Sequence, residues 1–596
     1  MSKKIEAIDY TSRDFATIRR DLENFAKRYY PNSYKDFNQA SFGSLMLDTV
    51  SYVGDILSFY LDYQANESFL DTAIEYNNVV RLARQMGYRL NPSPSSYGIV
   101  TVYIKIPAST STQGPDTDYI PVLKTGTEFS SDTGGFFTLV DDIDFKKEQN
   151  QIVVSDVNSN GTPTFFVIRA QGRAVSGRLG LDTFTIAEFV RFRRIPLSVS
   201  RINNVVSVYD SDGHRYYQVD NLSQDVIYKA IRNTTATRAT VPNILKPVPV
   251  ARRFTVEFEN GGTYLQFGYG SDSELSSPAV VDPSNLMLDM NGRDYTTDAD
   301  FDPTKLLDTD KFGIAPANTI LRIAYRYNTT KDVNAPVNSI TSITRPQIEF
   351  EQPSVLTRGK QSGVVSSLQV VNEEQFVGSI TLPNSDEIKQ RTFSYFATQN
   401  RAVTAEDYKA ICYGMPGKFG SVKRVTITRD FDAFKRNLNL YVVSQDNSGK
   451  LTLPNSTLKN NLKNWLSQYK MINDTVDILS AKIVNFGIEY EITLDLGSNK
   501  YTVINQASSA LADKFSMTYD IGEPIQISDV YKTLNKVEGV MDVIDVKIVE
   551  KTGANYSGDS YDFVANLSTD NRRILAHENV VFELKFPSSD IKGSIK

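Results

Sequence analysis

Phe42-Gly-Ser-Leu-Met-Leu-Asp-Thr-Val-Ser-Tyr-Val-Gly-Asp-Ile-Leu-Ser-Phe-Tyr-Leu-Asp-Tyr63 is the stretch on which the reading of this chain turns. On a helical wheel advancing about 100° per residue, Ser44, Asp48, Ser51, Asp55, Ser58 and Asp62 fall in one polar sector roughly 80° wide. The rest is mostly apolar. Phe42, Leu45, Met46, Val53, Ile56 and Tyr60 make one face, and Leu47, Val50, Leu57 and Leu61 make a second. A helix with so narrow a polar side has to be covered from two directions. One apolar face is expected to pack on its own domain. The other needs a further helix, either the one expected near Asp71–Met86 or one from another chain. Asp48, Asp55 and Asp62 rule out an ordinary membrane span.

Outward from this stretch, Thr11 or Ser12 can cap an earlier helix, with Asp14 in its first turn. Phe15, Ile18, Leu22, Phe25 and Tyr29 give it one apolar face, and it ends near Pro31. Gly87 can take the left-handed conformation that closes the third helix. Asn91-Pro-Ser-Pro-Ser-Ser96, with no apolar side chain, is read as a linker.

From Tyr97 to about Arg345 the texture is β. Val100, Val102, Ile104 and Ile106 alternate with Thr101, Tyr103 and Lys105 as a half-buried strand. Short apolar runs at Phe165–Ile168, Val205–Tyr209, Phe254–Phe258 and Ile320–Tyr327 suggest sandwiches or barrels. Residues 346–380 read as an irregular connector. A helix is expected over Ser385–Tyr395. Thr404-Ala-Glu-Asp407 is a capping signature for another, with Tyr408 and Ile411 inward and Gly414 behind.

Further on, Leu438, Leu440 and Val442 form a strand. Leu458, Leu462, Trp465, Leu466 and Tyr469 mark an amphipathic helix. Ile488, Tyr490, Ile492, Leu494 and Leu496 alternate as a strand, and Ile504, Leu511 and Phe515 mark a helix. Ser528 can cap a short helix with Tyr531 and Leu534, closed by Gly539, before a strand through Ile544, Val546 and Ile548. The expected fold is multi-domain α+β: an N-terminal helical bundle segment, a β-rich middle (sandwich- or barrel-like) and a C-terminal α+β module. The expected domains are residues 1–96, 97–200, 201–345, 346–420, 421–550 and 551–596.

The 596 residues allow about four domains at roughly 150 residues each. A net charge of −6 with scattered Lys and Arg gives no basic face for nucleic acid. One cysteine, Cys412, excludes an intramolecular disulfide and fits folding in a reducing cytoplasm. The charged start Met1-Ser2-Lys3-Lys4 has no signal-peptide core.

Catalytic chemistry finds no foothold. His214 and His577 each stand alone among loop-like residues, and no nucleophile is marked. Cys412 beside Ile411 reads as small apolar packing. Gly268-Tyr-Gly270 lacks the third glycine and lysine of a phosphate loop and reads as a turn. Asp298-Ala-Asp300-Phe-Asp302 starts like a calcium loop, but Pro303 replaces the glycine and Thr309 the bidentate Glu, so an acidic surface loop is expected. No catalytic, cofactor or metal residue is expected.

Five segments carry a resemblance. They are Phe42-Gly-Ser-Leu45 through Glu67-Ser-Phe-Leu70 to Leu82-Ala-Arg-Gln-Met-Gly-Tyr88; Val219-Asp-Asn-Leu-Ser-Gln-Asp-Val-Ile227; Leu265-Gln-Phe-Gly-Tyr-Gly270; Thr398-Gln-Asn-Arg-Ala-Val-Thr-Ala-Glu-Asp-Tyr408; and Ile521-Gly-Glu-Pro524 through Val537-Glu-Gly-Val540. In this order the chain resembles the baseplate J-like family of contractile tails, in particular its ring-forming wedge proteins from T-even-like phages. It departs from the pattern at Tyr269, where the family often has an acidic residue, and around Lys331–Asn334, where a glycine-rich turn is usual.

The resemblance implies a structural wedge subunit of the virion tail baseplate, assembled in the host cytoplasm and without enzymatic activity. It implies an N-terminal bundle with a second copy and a larger baseplate wedge protein. It also implies C-terminal contacts to neighbouring wedges, with sheath-initiator-like and hub proteins nearby, in a ring that rearranges on contraction. Leu47, Val50, Leu57 and Leu61 are then the candidate intersubunit face, and Leu458, Leu462, Trp465 and Tyr469 the candidate C-terminal packing residues. A carbohydrate- or receptor-binding tail module and a cell-wall hydrolase are the competing readings.

Overall fold

The computed structural model describes residues 14–30, 38, 41–90, 94–109, 114–159, 161–232, 243–259, 261–271, 312–331, 333–354, 356–430, 437–471, 473–495, 497–517 and 519–596. The chain divides into two compact units. One contains residues 1–90 and 382–414, the other residues 91–381 and 415–596.

The smaller unit is helical. Helix α1 spans Phe15–Tyr29, α2 Phe42–Glu67 and α3 Tyr76–Gln85. Asp14 is not in the first turn of α1 but is its N-cap, accepting from Thr17 N–H at 2.8 Å; Thr11 and Ser12 lie outside the described residues. Ser41 caps α2. α5 (Ser385–Thr398) and α6 (Ala405–Tyr413) belong to this unit too. α6 opens on the expected capping box: Thr404 accepts from Asp407 N–H, and Asp407 accepts from Thr404 N–H at 2.9 Å. Tyr408 and Ile411 are buried, as their spacing predicts. The core joins Leu70, Ala73, Val79, Ala83 and Tyr88 to Ile388 of α5. Gly414 is needed here, because a Cβ would stand 2.7 Å from the Tyr395 ring.

The larger unit begins with β1 (Tyr97–Pro107), β2 (Glu128–Ser131), β3 (Phe136–Leu139), β4 (Gln151–Val157) and β5 (Pro163–Ser176). β6 (Arg178–Ile186), β7 (Arg194–Pro196), β8 (Ile202–Tyr209), β9 (Arg215–Gln218), β10 (Arg253–Glu259), β11 (Gly262–Phe267) and β12 (Thr319–Tyr327) follow, then β13 (Ile340–Arg345), α4 (Arg358–Ser366) and β14 (Gln369–Val371). The first sheet runs β13-β2-β3-β5-β1-β14, and β4 pairs with β5 off this path. Its ends approach each other, since Ile340 N–H donates to Asn372 Oδ1 at 2.9 Å. The sheet is therefore barrel-like around Val100, Val102, Ile104, Phe129, Ile168 and Phe376. The second runs β6-β12-β8-β9-β10-β11-β7 and is inserted between β5 and β13. Thr101, expected on the solvent side of β1, is fully buried, while Tyr103 and Lys105 on the same face are half-buried. The connector expected to be irregular contains α4, whose Val364 is buried in the barrel core despite the glycines beside it.

The segment read as a linker is interior structure. Pro94, Ser95 and Ser96 are buried, while residues 91–93 lie outside the described set. Ser95 N–H donates to Gly417 O at 2.9 Å, Ser96 N–H to Ser176 Oγ at 3.0 Å and Asn203 Nδ2 to Ser95 Oγ at 3.2 Å. Small hydroxylated residues satisfy a buried backbone crossing that apolar ones would leave unpaired. Gly378 and Gly420 complete it, for a Cβ on Gly378 would lie 2.6 Å from Ser95 O.

The C-terminal part holds β15 (Arg424–Arg429), β16 (Asn437–Gln445), α7 (Ser456–Leu466), β17 (Thr475–Ser480), β18 (Lys482–Leu494), α8 (Lys500–Phe515), α9 (Ile527–Leu534), β19 (Val540–Glu550), β20 (Val580–Glu583) and β21 (Ile591–Ile595). Ile488, Tyr490 and Ile492 of β18 form a core with Val503, Ala507, Leu511 and Phe515 of α8. Leu496 lies outside the described residues. Ser528 sits inside α9, whose N-cap is Gln526. Ile544, expected inward, is exposed because the β18–β19 register slips between Glu491 and Ile492, and such a bulge swaps the faces of the strand beyond it. The whole is multi-domain α+β, with helices first, barrel-like sheets in the middle and α+β at the end.

Candidate functional site

Helix α2 lies with its polar stripe inward. Ser44 and Ser51 are its only buried residues. α1 runs along that stripe: Arg19 Nε is 2.7 Å from Asp48 Oδ1, and Arg19 Nη2 donates to Ser44 Oγ at 3.0 Å. A Cβ at Gly54 would sit 3.2 Å from Ile18 Cδ1, so the small residues of the stripe let the helices approach closely. Ser51 Oγ satisfies itself on Leu47 O at 2.7 Å.

The apolar faces point the other way. Of the candidate intersubunit residues, Val50, Leu57 and Leu61 are 54–62% exposed and Leu47 is half-buried. On the other face Phe42, Leu45, Met46, Val53 and Tyr60 are exposed and Ile56 is half-buried. The expectation that one apolar face packs on its own domain is therefore overturned. Arg19 supplies both charge and a donor to the stripe at Asp48 and Ser44, so α1 packs on the polar side of α2. α3 does not cover the second face either, because it packs into the core shared with α5. The end of α2 is pinned to α3 through Glu67, which accepts from Ile74 N–H at 2.7 Å and Asn78 Nδ2 at 2.9 Å. Burial would raise the Glu67 carboxyl, but these donors outweigh it and hold it below the usual range.

Phe42, Leu45, Thr49, Tyr52, Ile56, Phe59 and Tyr63 follow one another at alternating steps of three and four. Met46, Val50, Val53, Leu57 and Tyr60 do the same at steps of four and three, and all five are exposed. Both rows have the heptad spacing of coiled-coil seams.

The C-terminal candidates behave differently. Leu458 and Leu462 are fully buried, and Trp465 and Tyr469 are half-buried with ring centroids 4.9 Å apart. α7 is capped by Asn455, whose Oδ1 accepts from Leu458 N–H at 2.9 Å and whose Nδ2 donates to Gln375 O at 3.0 Å. Leu458 and Leu462 are thus spent inside the larger unit and have no free surface.

His214 is not alone. Its Nδ1 lies 3.1 Å from Asp210 Oδ2, and Asp210, Asp212 and His214 place ligand atoms within 4.8 Å of one another. Asp210 is already engaged, with Oδ1 accepting from His214 N–H at 2.7 Å and Asp212 N–H at 3.1 Å, which closes the β8–β9 turn. His577 packs edge-on to Tyr561. Cys412 is buried, and burial pushes its thiol far above the ordinary value, which makes it inert. Gly268 serves no phosphate: a Cβ there would stand 2.0 Å from Gly313 O, so the glycine allows a backbone crossing. The acidic run Asp298–Asp302 lies outside the described residues. No described helix is long and apolar enough to cross a membrane.

Residues 14–85, the span of α1, α2 and α3, match the family model described as bacteriophage baseplate protein, N-terminal domain. No curated protein sequence matches the chain. Among solved structures, the cryo-EM structure of the anti-feeding prophage baseplate (6-fold symmetrised) aligns at 11% identity and a TM-score of 0.26, covering 97% of this chain and 100% of that one. The type VI secretion system TssK-TssF-TssG baseplate subcomplex aligns at 9% identity and a TM-score of 0.24, covering 74% of this chain and 96% of that one. At such TM-scores neither alignment carries an argument. The match over residues 14–85 does: the chain has the N-terminal domain of a phage baseplate protein and a structural role in a baseplate.

Proposed function

We propose that the chain is a wedge subunit of a contractile-tail baseplate and that the apolar faces of α2 are where its partners' helices dock. One observation carries this reading: α2 buries two serines and leaves Leu45, Leu57, Leu61, both its valines and its aromatics exposed. A monomer rarely shows so continuous an apolar surface without a partner for it. Two heptad seams fit two further helices. A second copy and a larger wedge protein are the occupants, with Leu47, Val50, Leu57 and Leu61 on the shared face. Those side chains are already partly covered, so burying what remains exposed would contribute on the order of 3–6 kcal/mol before ordering costs.

The C-terminal module then meets neighbouring wedges, close to sheath-initiator-like and hub proteins, and the resulting ring around the hub rearranges on contraction. The role is mechanical rather than enzymatic. The double variant Val50→Asp/Leu57→Asp tests the reading by co-expression with the other baseplate components. It is expected to keep the circular dichroism and melting temperature of the parent chain but to drop out of the co-purified complex. If the folded variant still co-assembles like the parent, the docking assignment fails.

A further inference from the structure

The chain carries nine methionines. Among the described residues Met46, Met471, Met517 and Met541 are 47–71% exposed, whereas Met415 is buried and Met86 half-buried. Met471, Met517 and Met541 belong to the larger unit. Met46 belongs to α2, and its place on that helix sets it apart. On the helical wheel it stands about 180° from Asp55, at the centre of the apolar arc. Phe42 and Val50, four residues before and after it, are its neighbours along the helix surface, and Val53 lies one heptad on. All three are exposed. No other residue of the arc contains sulfur. The chain's one thiol, Cys412, is buried, and burial holds it protonated and inert. A peroxide that reaches α2 therefore finds one soft target, in the middle of the surface that has to be dry once a helix docks.

We propose that Met46 is an oxidative modification site that controls docking: as its sulfoxide, α2 no longer admits a partner helix. The inference rests on the docking reading of α2 given above. The co-reactant is a peroxide. One peroxide oxygen is transferred to the Met46 sulfur as the O–O bond breaks, the thioether is oxidised, and the peroxide is reduced to water. The step turns a flexible apolar side chain into a polar one. In the free chain the new S=O group is solvated. Against a partner helix it is buried beside Phe42, Val50 and Val53, which offer it no hydrogen bond, and an unsatisfied buried oxygen opposes the contact. A docked helix in turn shields the sulfur from peroxide. Sensitivity is thus confined to the chain before assembly, where methionine sulfoxide reductases can reverse it.

The full chain is treated with hydrogen peroxide until peptide masses show Met46 converted, then mixed with the other baseplate components. Met46→Leu, a volume-conserving exchange, is treated in parallel. It keeps Met471, Met517 and Met541, so it reports what their oxidation does alone. The oxidised parent is expected to co-purify with the complex about tenfold less than the untreated parent. Oxidised Met46→Leu should co-purify as its untreated form does, and reductase treatment should return the parent to full assembly. The inference is overturned if the oxidised parent assembles like the untreated one, or if oxidised Met46→Leu fails as the oxidised parent does. Neither result touches the docking reading, which stands or falls on Val50→Asp/Leu57→Asp without any peroxide.

Discussion

Helices α2 and α8 make opposite use of similar material. α8 buries Val503, Ala507, Leu511 and Phe515 at steps of four and turns its polar side to water. α2 is longer and richer in large apolar residues, yet it buries Ser44 and Ser51. The difference lies in what each meets inside the chain. β18 offers α8 an apolar sheet face through Ile488, Tyr490 and Ile492. α1 offers α2 an arginine and a ridge that fits against Gly54. A hydrophobic face states that it will be covered; it does not state by which chain.

The largest expected effect sharpens this contrast. Leu511→Ala should cost 2–5 kcal/mol in urea unfolding of the larger unit, about the range for a filled core site. Leu57→Ala in the isolated chain should change stability by less than about 0.5 kcal/mol. Equal losses would mean that α2 is covered from within. Next, Ser51→Leu on the tight side of α2 should cost about 1–3 kcal/mol by overpacking against α1, read from hydrogen exchange across α1. A stabilising outcome would break the assignment of the polar stripe as the inward face.

Arg19→Ala should loosen α1 by about 1–3 kcal/mol, because buried Ser44 and the buried Oδ1 of Asp48 lose their partner. The smallest effect is a pH dependence. Glu67 titrates below the usual carboxylate range, so its contribution is fully present above the unfolded-chain value of 4.5 and is lost as the pH falls through the lower folded value. Exchange protection at Ile74 and Glu75 should therefore drop on acidification below about pH 4.5, whereas Glu67→Gln should start lower and stay flat.

Local chemistry made much of the fold readable. The C-terminal end of α1, the Thr404–Asp407 capping box and the buried row Val100, Val102, Ile104 and Ile106 of β1 follow from capping and periodicity, which act within a few residues. Three things were out of reach because partners far along the chain decide them. Ser95 and Ser96 look like linker until Gly417 and Ser176 arrive to bond them. Ile544 faces outward because a bulge opposite Glu491 shifts the register. Ser44 of α2 turns inward because Arg19 answers it, and Ser51 can follow because it bonds Leu47 O of its own helix. For the candidate surface, spacing identified the apolar rows of α2, but their exposure needed the packing of α1 and α3. Leu458 and Leu462, marked by amphipathic spacing as packing residues, are interior.

The nesting of the second sheet inside the first has a consequence in time. Val102 of β1 pairs with Val370 of β14, so the barrel cannot shut until the ribosome has made everything between them. At about 5–20 residues per second that wait is roughly 15–55 s. Throughout it β1, with its wholly apolar inner row, has at most β5 beside it. A nascent chain in that condition is a substrate for chaperones, and slowing translation before residue 371 should lower the soluble yield far more than slowing it afterwards.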